Sequence, residues 1–226
     1  MHESAKFHCQ KFFDNYINSL EITHPLNIAE IGSLNVNGNL DFICKHPFKY
    51  TGLDFVNGDN VDIVLDDPYQ LPLETNSIDV VISSSCFEHC EMFWLLFIEI
   101  LRVMKPSGLF YLNSPSNGDV HRFPVDCWRF YPDSGQALIK WGQRNNFNSA
   151  LLESFTSYQM NDIWNDYVAV FVKNENHADL YPHRILNSMK NFTNGMARGL
   201  DGPLQPSKNM EDRIKLQILI KRLNQS

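Results

Sequence analysis

Two histidines follow apolar segments of this chain, at points where a buried strand would end. The run Val80–Ser85 changes from apolar to small and polar, and His89 comes just after it. His121 lies beyond the next apolar run, with Asp126 a short way further on. An imidazole titrates near neutral pH, so either histidine could act as a general base, and Asp126 could orient His121. The alternative is that both histidines only bind loop backbone.

A glycine-containing turn precedes these residues. The apolar run from Ile28 ends in Glu30 and Gly32, and Asn37 and Gly38 follow. Where such a turn joins a strand to a helix, a ligand can approach the backbone closely. For this segment considered alone, an ordinary turn without a ligand remains the alternative.

Two further acidic side chains stand where predicted strands end. Asp54 lies about 20 residues beyond the glycine turn, where a carboxylate can accept hydrogen bonds from both ribose hydroxyls. Asp67 could accept from an adenine amino group, with Tyr69 beside the ring. Asp66 and Asp67 could instead bind a hard cation. Because no third acidic partner is near them in sequence, the adenine contact is preferred.

A long aperiodic segment, Asn113–Pro132, combines charged and aromatic side chains. Long loops at the functional edge of a sheet often carry binding residues. Arg122 and Arg129 could hold an anionic group of a substrate, and Trp128 is included in the same predicted site. The alternative is a structural loop whose aromatic side chains pack into the core.

These residues can meet only if a parallel sheet positions them. Short apolar runs alternate with helical patterns, which indicates βαβ units. The predicted strands are 27–31, 50–54, 61–65, 78–83 and 109–113. The main predicted helices are 91–104 and 133–142. A closing antiparallel pair of strands is predicted at 150–157 and 166–173. The expected fold is an α/β, Rossmann-like one, with a mostly parallel seven-stranded sheet flanked by helices.

Polarity rises after residue 174, which suggests a boundary there. Residues 1–174 are predicted as the catalytic domain and 175–226 as a C-terminal extension, mainly helical. The apolar positions of Leu216–Leu223 fit a helix and, less well, a strand; the abundance of Glu, Lys, Arg, Leu and Gln favours the helix. We expect this tail to lie outside the catalytic sheet, either packed on the domain or paired with a second subunit in a homodimer.

Composition excludes several classes of protein. The formal net charge of −7 argues against broad binding of nucleic acid, which needs a basic surface. No run approaches the roughly 20 apolar residues of a membrane span, and no secretory signal is visible. Five cysteines without a C-x-x-C pair indicate free thiols in a reducing cytoplasm. Cys86 and Cys90 lack a second ligand pair for zinc, so no metal site is predicted.

Taken together, these segments resemble the class I S-adenosylmethionine-dependent methyltransferases. The Glu30-to-Gly32 turn, Gly52-Leu53-Asp54, the Asp-x-x-x-Leu-Pro from Asp67 and the Glu88-His89 pair stand in that family's order and spacing. The clearest marker is Ile100–Phe110, which resembles the family's helix-to-strand connection before strand five. The resemblance covers about residues 26–115.

The resemblance implies S-adenosylmethionine as the cofactor. Glu30 and Gly32 would shape the loop around its methionine part, Asp54 would hold the ribose, and Asp67 would lie near the adenine. The other residues expected at the cofactor or in the reaction cleft are Ser33, Asn37, Phe55, Tyr69, Ser85 and His89. This chain departs from the family pattern where Leu34 and Val36 replace turn glycines, and where Pro68 has no N–H to donate to adenine.

The implied reaction is an in-line transfer of a methyl group to a small-molecule acceptor. The stretch His121–Phe130 resembles bacterial methyltransferases of surface-glycan or secondary-metabolite pathways, which favours O-methylation of a sugar or surface-glycan substituent in polysaccharide biosynthesis. Two alternatives stay open. A nucleotide-dependent oxidoreductase would want G-x-G-x-x-G at the turn. A non-catalytic partner subunit is compatible with the altered glycine turn.

Overall fold

The computed structural model describes residues 3–35 and 44–225 of the chain. Its centre is an eight-stranded sheet with the order β3-β2-β1-β4-β5-β7-β6-β8. The strands are β1 (Leu26–Ile31), β2 (Phe48–Asp54), β3 (Ile63–Val64), β4 (Ile78–Ser84), β5 (Met104–Pro115), β6 (Ala150–Ser157), β7 (Asp166–Val172) and β8 (Phe192–Ala197). The Rossmann-like α/β fold predicted from the sequence is confirmed, with eight strands in place of seven.

The first five strands in chain order pair in parallel, and the remaining three join the sheet antiparallel. Glu30 of β1 stands between Gly52 of β2 and Ile82 of β4 in the register. The carboxyl ends of β1, β2 and β4 therefore meet at one edge. The predicted antiparallel pair is confirmed as β6 and β7.

The described part of the chain holds five helices, four of which pack on the faces of the sheet. They are α1 (Glu3–Phe12), α2 (Phe93–Val103), α3 (Ser134–Arg144), α4 (Ile185–Ser188) and α5 (Glu211–Leu223), with a π-helical turn at Phe13–Ile17 and 3-10 turns at Phe87–His89 and Glu175–Leu180. Strand β5 starts earlier than predicted, because Met104 pairs with Ile78 before the register shifts. The predicted helix 91–104 is correspondingly shorter.

Each face of the sheet has its own apolar core. On one face, Phe12 of α1 packs against Tyr111 of β5 with ring centroids 5.0 Å apart. On the other, Phe97 of α2 contacts Phe110 and Phe171, which stack at 5.6 Å. Since β5 and β7 contribute to both layers, burial on two sides holds the centre of the sheet and fixes the edge at which its strands end.

The C-terminal extension differs from its helical prediction. Strand β8 pairs antiparallel with β6, placing Met196 beside Ser154, so part of residues 175–226 extends the sheet. The stripe at Leu216–Leu223 lies in α5, which is helical as the composition favours, and none of its residues is buried. In the part of the chain that the structure describes, no helix is long and apolar enough to cross a membrane.

Candidate active site

A cleft of about 430 Å³ opens at the carboxyl edge of the parallel strands. This volume lies within the usual range of small-molecule sites. One wall consists of residues at or after the ends of β1, β2 and β3, and a second wall of residues at or after the ends of β4 and β5. Ten of the sequence-predicted site residues line it: Glu30, Gly32, Ser33, Asp54, Phe55, Tyr69, Ser85, His89, His121 and Arg122.

Gly32 ends β1 in a conformation that favours glycine. Its φ is +79°, and a Cβ at this position would lie 2.6 Å from Cβ of Cys86. The segment after β1 therefore packs directly on the segment after β4. Ser85, next to Cys86, also has a positive φ of 53°, and its N–H donates to the carbonyl of Asn113 at 3.0 Å. Such backbone conformations are concentrated at binding and catalytic sites.

Glu30 is buried at the base of the cleft and is held by a tyrosine. The hydroxyl of Tyr50 donates to Oε2 of Glu30 and accepts from Nδ2 of Asn60 at 2.8 Å. Burial, together with the carboxylate of Glu30, raises the pKa of Tyr50. Nδ2 of Asn60 also donates to the carbonyl of Ser33 at 3.0 Å. This chain of hydrogen bonds fixes the start of the turn after β1.

Asp54 ends β2 with its carboxylate against two backbone amides. Oδ2 accepts from the N–H of Leu34 at 3.1 Å, and Oδ1 accepts from the N–H of Val56 at 3.0 Å. Each carboxylate oxygen can accept a second hydrogen bond. Asp54 is 7% exposed and lines the cleft, so it can both hold the turn and face a ligand.

The structure corrects the expected position of Asp67. Its Oδ1 accepts from the N–H of Tyr69 at 2.8 Å, which turns the carboxylate back onto its own segment, and Asp67 is not among the described residues that line the cleft. Leu65, Pro68 and Tyr69 line it instead. A short local hydrogen bond thus holds one oxygen of Asp67 outside the lining, and its contact with adenine stays a prediction. Asn37, the remaining predicted cofactor residue, lies outside the described residues.

His89 and His121 stand side by side in the second wall. Their ring centroids are 4.9 Å apart and the rings are nearly perpendicular. Nδ1 of His89 lies 2.6 Å from the carbonyl of Val125, and Nδ1 of His121 lies 3.2 Å from the carbonyl of Asp119. Both loops open on one edge, as the topology requires.

Glu88 lies beneath the two imidazoles and was not predicted as a site residue. It is fully buried, and its Oε2 accepts from Oγ of Ser114 at 2.9 Å. Its Oε1 lies 3.7 Å from Nε2 of His89 and 3.9 Å from Nε2 of His121. The carboxylate of Glu88 raises the pKa of His121 above its usual range, although partial burial opposes this shift.

Asp126 and Arg129 form an ion pair that shapes the loop behind His121. Oδ1 and Oδ2 of Asp126 accept from the guanidinium of Arg129 at 2.6 and 2.9 Å, and Oδ2 also accepts from the backbone N–H of His121 at 2.8 Å. Arg129 lowers the pKa of Asp126 to about 2. Nδ1 of His121 lies 3.5 Å from Oδ2 of Asp126. Asp126 thus positions His121 from behind, outside the cleft wall.

Two of the three predicted substrate-binding residues serve the loop instead. The guanidinium of Arg129 is engaged by Asp126 and the carbonyl of Asp119, the latter at 2.8 Å. The indole of Trp128 donates to the carbonyl of Cys90 at 3.0 Å and packs edge-on against Phe93. Neither residue is among those that the described part of the chain contributes to the cleft.

Residues 39–112 match a family model described as a methyltransferase domain. A phthiotriol/phenolphthiotriol dimycocerosates methyltransferase of Mycobacterium tuberculosis (strain H37Rv) is 30% identical over 109 residues, which is 46% of this chain and 36% of the relative. The chain thus spans about a third of the length of the curated relatives it matches.

Solved structures share the fold at low sequence identity. The 1,6-didemethyltoxoflavin-N1-methyltransferase of Burkholderia thailandensis, solved with 1,6-didemethyltoxoflavin and S-adenosylhomocysteine, has a TM-score of 0.54 and 12% identity, covering 76% of this chain and 78% of that one. The YcgJ protein of Bacillus subtilis has a TM-score of 0.51 and 12% identity, covering 77% and 100%. The domain match and this shared fold agree with the resemblance at the cleft. The chain is thus similar to methyltransferases over residues 39–112, and it shares the Rossmann-like fold of these solved structures.

Proposed function

We propose that the protein is an enzyme that transfers a methyl group from S-adenosylmethionine to a small acceptor. The observation that carries this proposal is one cleft whose two walls differ in chemistry. Asp54 and the Gly32 turn line one side, and the histidine pair lines the other. A cofactor bound along the first wall would present its reactive end to the second.

The first wall suits the cofactor. The carboxylate of Asp54 has a free acceptor position on each oxygen for the ribose hydroxyls, and Phe55 and Tyr69 offer apolar surface beside the adenine. Gly32 keeps the turn free of a side chain where the methionine part would pass. When bound, S-adenosylmethionine supplies a methyl group on a positively charged sulfur, so the protein mainly has to align the acceptor.

The second wall suits the acceptor. We assign His121 as the proton acceptor, because it lines the cleft and the buried carboxylate of Glu88 favours its protonated form. His89 borders the same space, and Asp126 orients the His121 loop. Arg122 lines the cleft and could bind an anionic group of the acceptor. The proposed acceptor is a sugar or surface-glycan hydroxyl, used in polysaccharide biosynthesis in the cytoplasm.

Calorimetry with S-adenosylhomocysteine tests the cofactor assignment. Binding to the wild-type protein is expected, and binding of a nicotinamide dinucleotide in its place would favour an oxidoreductase. Failure of both ligands to bind would favour a non-catalytic partner subunit.

For the acceptor, labelled S-adenosylmethionine is incubated with candidate glycans. His121→Asn should lower turnover while leaving affinity for S-adenosylhomocysteine within about twofold. His183→Asn, at an exposed histidine, serves as the control. Equal loss of turnover and affinity would indicate a structural role for the loop.

The exposed apolar stripe of α5 extends the proposal to a homodimer. Leu216, Leu219 and Leu223 are each more than half exposed. Deleting residues from Asn209 onward should convert a dimer to a monomer in sedimentation and leave cofactor binding intact. A wild-type protein that sediments as a monomer would refute the homodimer. Loss of cofactor binding in a folded truncation would show that α5 supports the cleft.

A further inference from the structure

Glu88, His89 and His121 direct three potential metal-ligand atoms toward one point. Oε1 of Glu88 lies 3.7 and 3.9 Å from the two Nε2 atoms, and all three ligand atoms lie within 4.8 Å of one another. Divalent zinc binds nitrogen and oxygen at about 2.0–2.2 Å, so two ligands on a tetrahedral centre stand about 3.4 Å apart. A contraction of roughly half an ångström would bring each imidazole to coordination distance from Glu88, and the distance between the two Nε2 atoms, at most 4.8 Å, would shorten by up to about 1.4 Å.

The imidazoles are oriented as metal ligands usually are. Nδ1 of His89 faces the carbonyl of Val125, and Nδ1 of His121 faces the carbonyl of Asp119. A carbonyl accepts only, so a neutral imidazole that donates from Nδ1 to it leaves the lone pair of Nε2 for a metal. Nη2 of Arg129 also lies 3.5 Å from Nδ1 of His121, and a cation would have to displace the proton from Nε2 of a protonated His121. A ligating histidine typically donates its other N–H to a carbonyl or carboxylate in this way, which fixes the tautomer and the ring orientation.

The buried carboxylate supplies an independent observation. Glu88 is 0% exposed, and among the described residues Oε1 has no hydrogen-bond donor within bonding distance, although Oε2 accepts from Ser114. A buried carboxylate oxygen without a donor is costly, and buried charges are normally paired or bound to metals. Arg129 is already paired with Asp126, and none of the hydrogen bonds or ion pairs of the described residues joins Arg122 to Glu88.

We propose that Glu88, His89 and His121 form a binding site for a divalent first-row transition cation. Two imidazoles and one carboxylate suit Zn²⁺, Fe²⁺, Co²⁺ or Mn²⁺ and disfavour Mg²⁺ and Ca²⁺, which prefer oxygen ligands. Because His89 and His121 line the cleft, the remaining coordination positions face the acceptor side. The site does not require the proposed methyl transfer, but a bound cation would occupy His121 and replace it as the group that activates an acceptor oxygen.

The test uses Co²⁺ alone, titrated into the full-length protein after treatment with a chelator. One Co²⁺ per chain is expected. Glu88→Gln and His121→Asn should each weaken binding at least about tenfold, whereas His183→Asn should leave it unchanged. Cys86 and Cys90 also line the cleft, so the absorption spectrum matters: ligation by Glu and His lacks the intense near-ultraviolet band of a cobalt–thiolate bond.

Three results would overturn the proposal: no stoichiometric binding, a thiolate band, or unchanged affinity in both ligand variants. Circular dichroism shows whether each variant is folded. Because His121 lies in a loop, its replacement tests the site even if Glu88→Gln fails to fold. Titration with S-adenosylhomocysteine is done separately on the same samples. Binding of S-adenosylhomocysteine without binding of Co²⁺ refutes the metal site and leaves the proposed function standing. Binding of Co²⁺ without binding of S-adenosylhomocysteine supports the metal site and counts against the proposed function.

Discussion

Replacing Asp54 with asparagine would test the proposed ribose contact most directly. The side chain is 7% exposed, and its two oxygens already accept from the N–H groups of Leu34 and Val56. Asparagine keeps the shape but turns one acceptor into an N–H₂ donor. The new N–H₂ group would face either a backbone N–H or a ribose hydroxyl. Both of these groups are donors that need an acceptor.

The magnitude follows from the hydrogen bonds that are lost. A hydrogen bond to a charged group contributes about 1.5–3 kcal/mol, and rearrangement recovers part of it. We therefore expect Asp54→Asn to weaken S-adenosylhomocysteine binding by about 1–3 kcal/mol, which is about 5- to 150-fold in Kd. A smaller loss of folding stability should accompany it, because the turn after β1 loses one of its acceptors.

Calorimetric titration and thermal unfolding of the same samples separate the two effects. Asp201→Asn makes the same chemical change at an exposed position and should leave Kd and Tm unchanged. An Asp54→Asn protein with a normal Tm and a Kd within twofold of wild type would refute the ribose assignment. A large fall in Tm with unchanged Kd would show that Asp54 serves the turn alone.

Three other changes have expected outcomes. Gly32→Ala forces a Cβ into a positive-φ position against Cys86 and should lower the unfolding free energy by at least about 1 kcal/mol in a denaturant titration; equal stability would contradict the strain argument. Arg129→Gln leaves the carboxylate of Asp126 without its cation and should cost about 1–3 kcal/mol of stability, whereas exposed Arg213→Gln should cost little. Burial raises the pKa of Glu153, so this side chain stabilises the fold more when protonated. The stability of wild type relative to Glu153→Gln should therefore fall as the pH rises from about 4.3 through the raised pKa, and a difference that grows with pH would contradict this.

Much of the sheet could be predicted because its strands are buried on two sides. Val80, Val81 and Ile82 read as a buried run whatever surrounds them, and the order of parallel strands follows from the alternation with helices. The β6–β7 pair was equally clear. Strand β8 was not predicted, since Phe192–Ala197 includes a glycine and an asparagine and pairs with another strand only at its inner edge.

The sequence predicts a site residue correctly where its position at the end of a strand decides which edge of the sheet its side chain reaches. Glu30 and Asp54 lie at the carboxyl ends of β1 and β2, and Gly32 directly follows β1, so all three line the cleft. Asp67 and Arg129 lie outside the lining of the cleft, because Asp67 accepts a hydrogen bond from the N–H of Tyr69 and Arg129 pairs with Asp126. Residue type alone does not reveal such local partners. Glu88 was overlooked although it precedes His89, because a glutamate beside a histidine does not indicate which of them will be buried.

Strand β8 also bears on how the sheet avoids self-association. A long exposed edge strand offers unpaired N–H and C=O groups to another chain. Here β8 covers β6, and β8 is itself covered in part, since Gly195 exchanges two backbone hydrogen bonds with Leu204 at 2.9 and 2.7 Å. At the opposite end, β3 has only two residues. A protein cut at residue 174 would expose the apolar length of β6, and we expect it to aggregate, whereas one cut at residue 208 would keep both coverings of this edge.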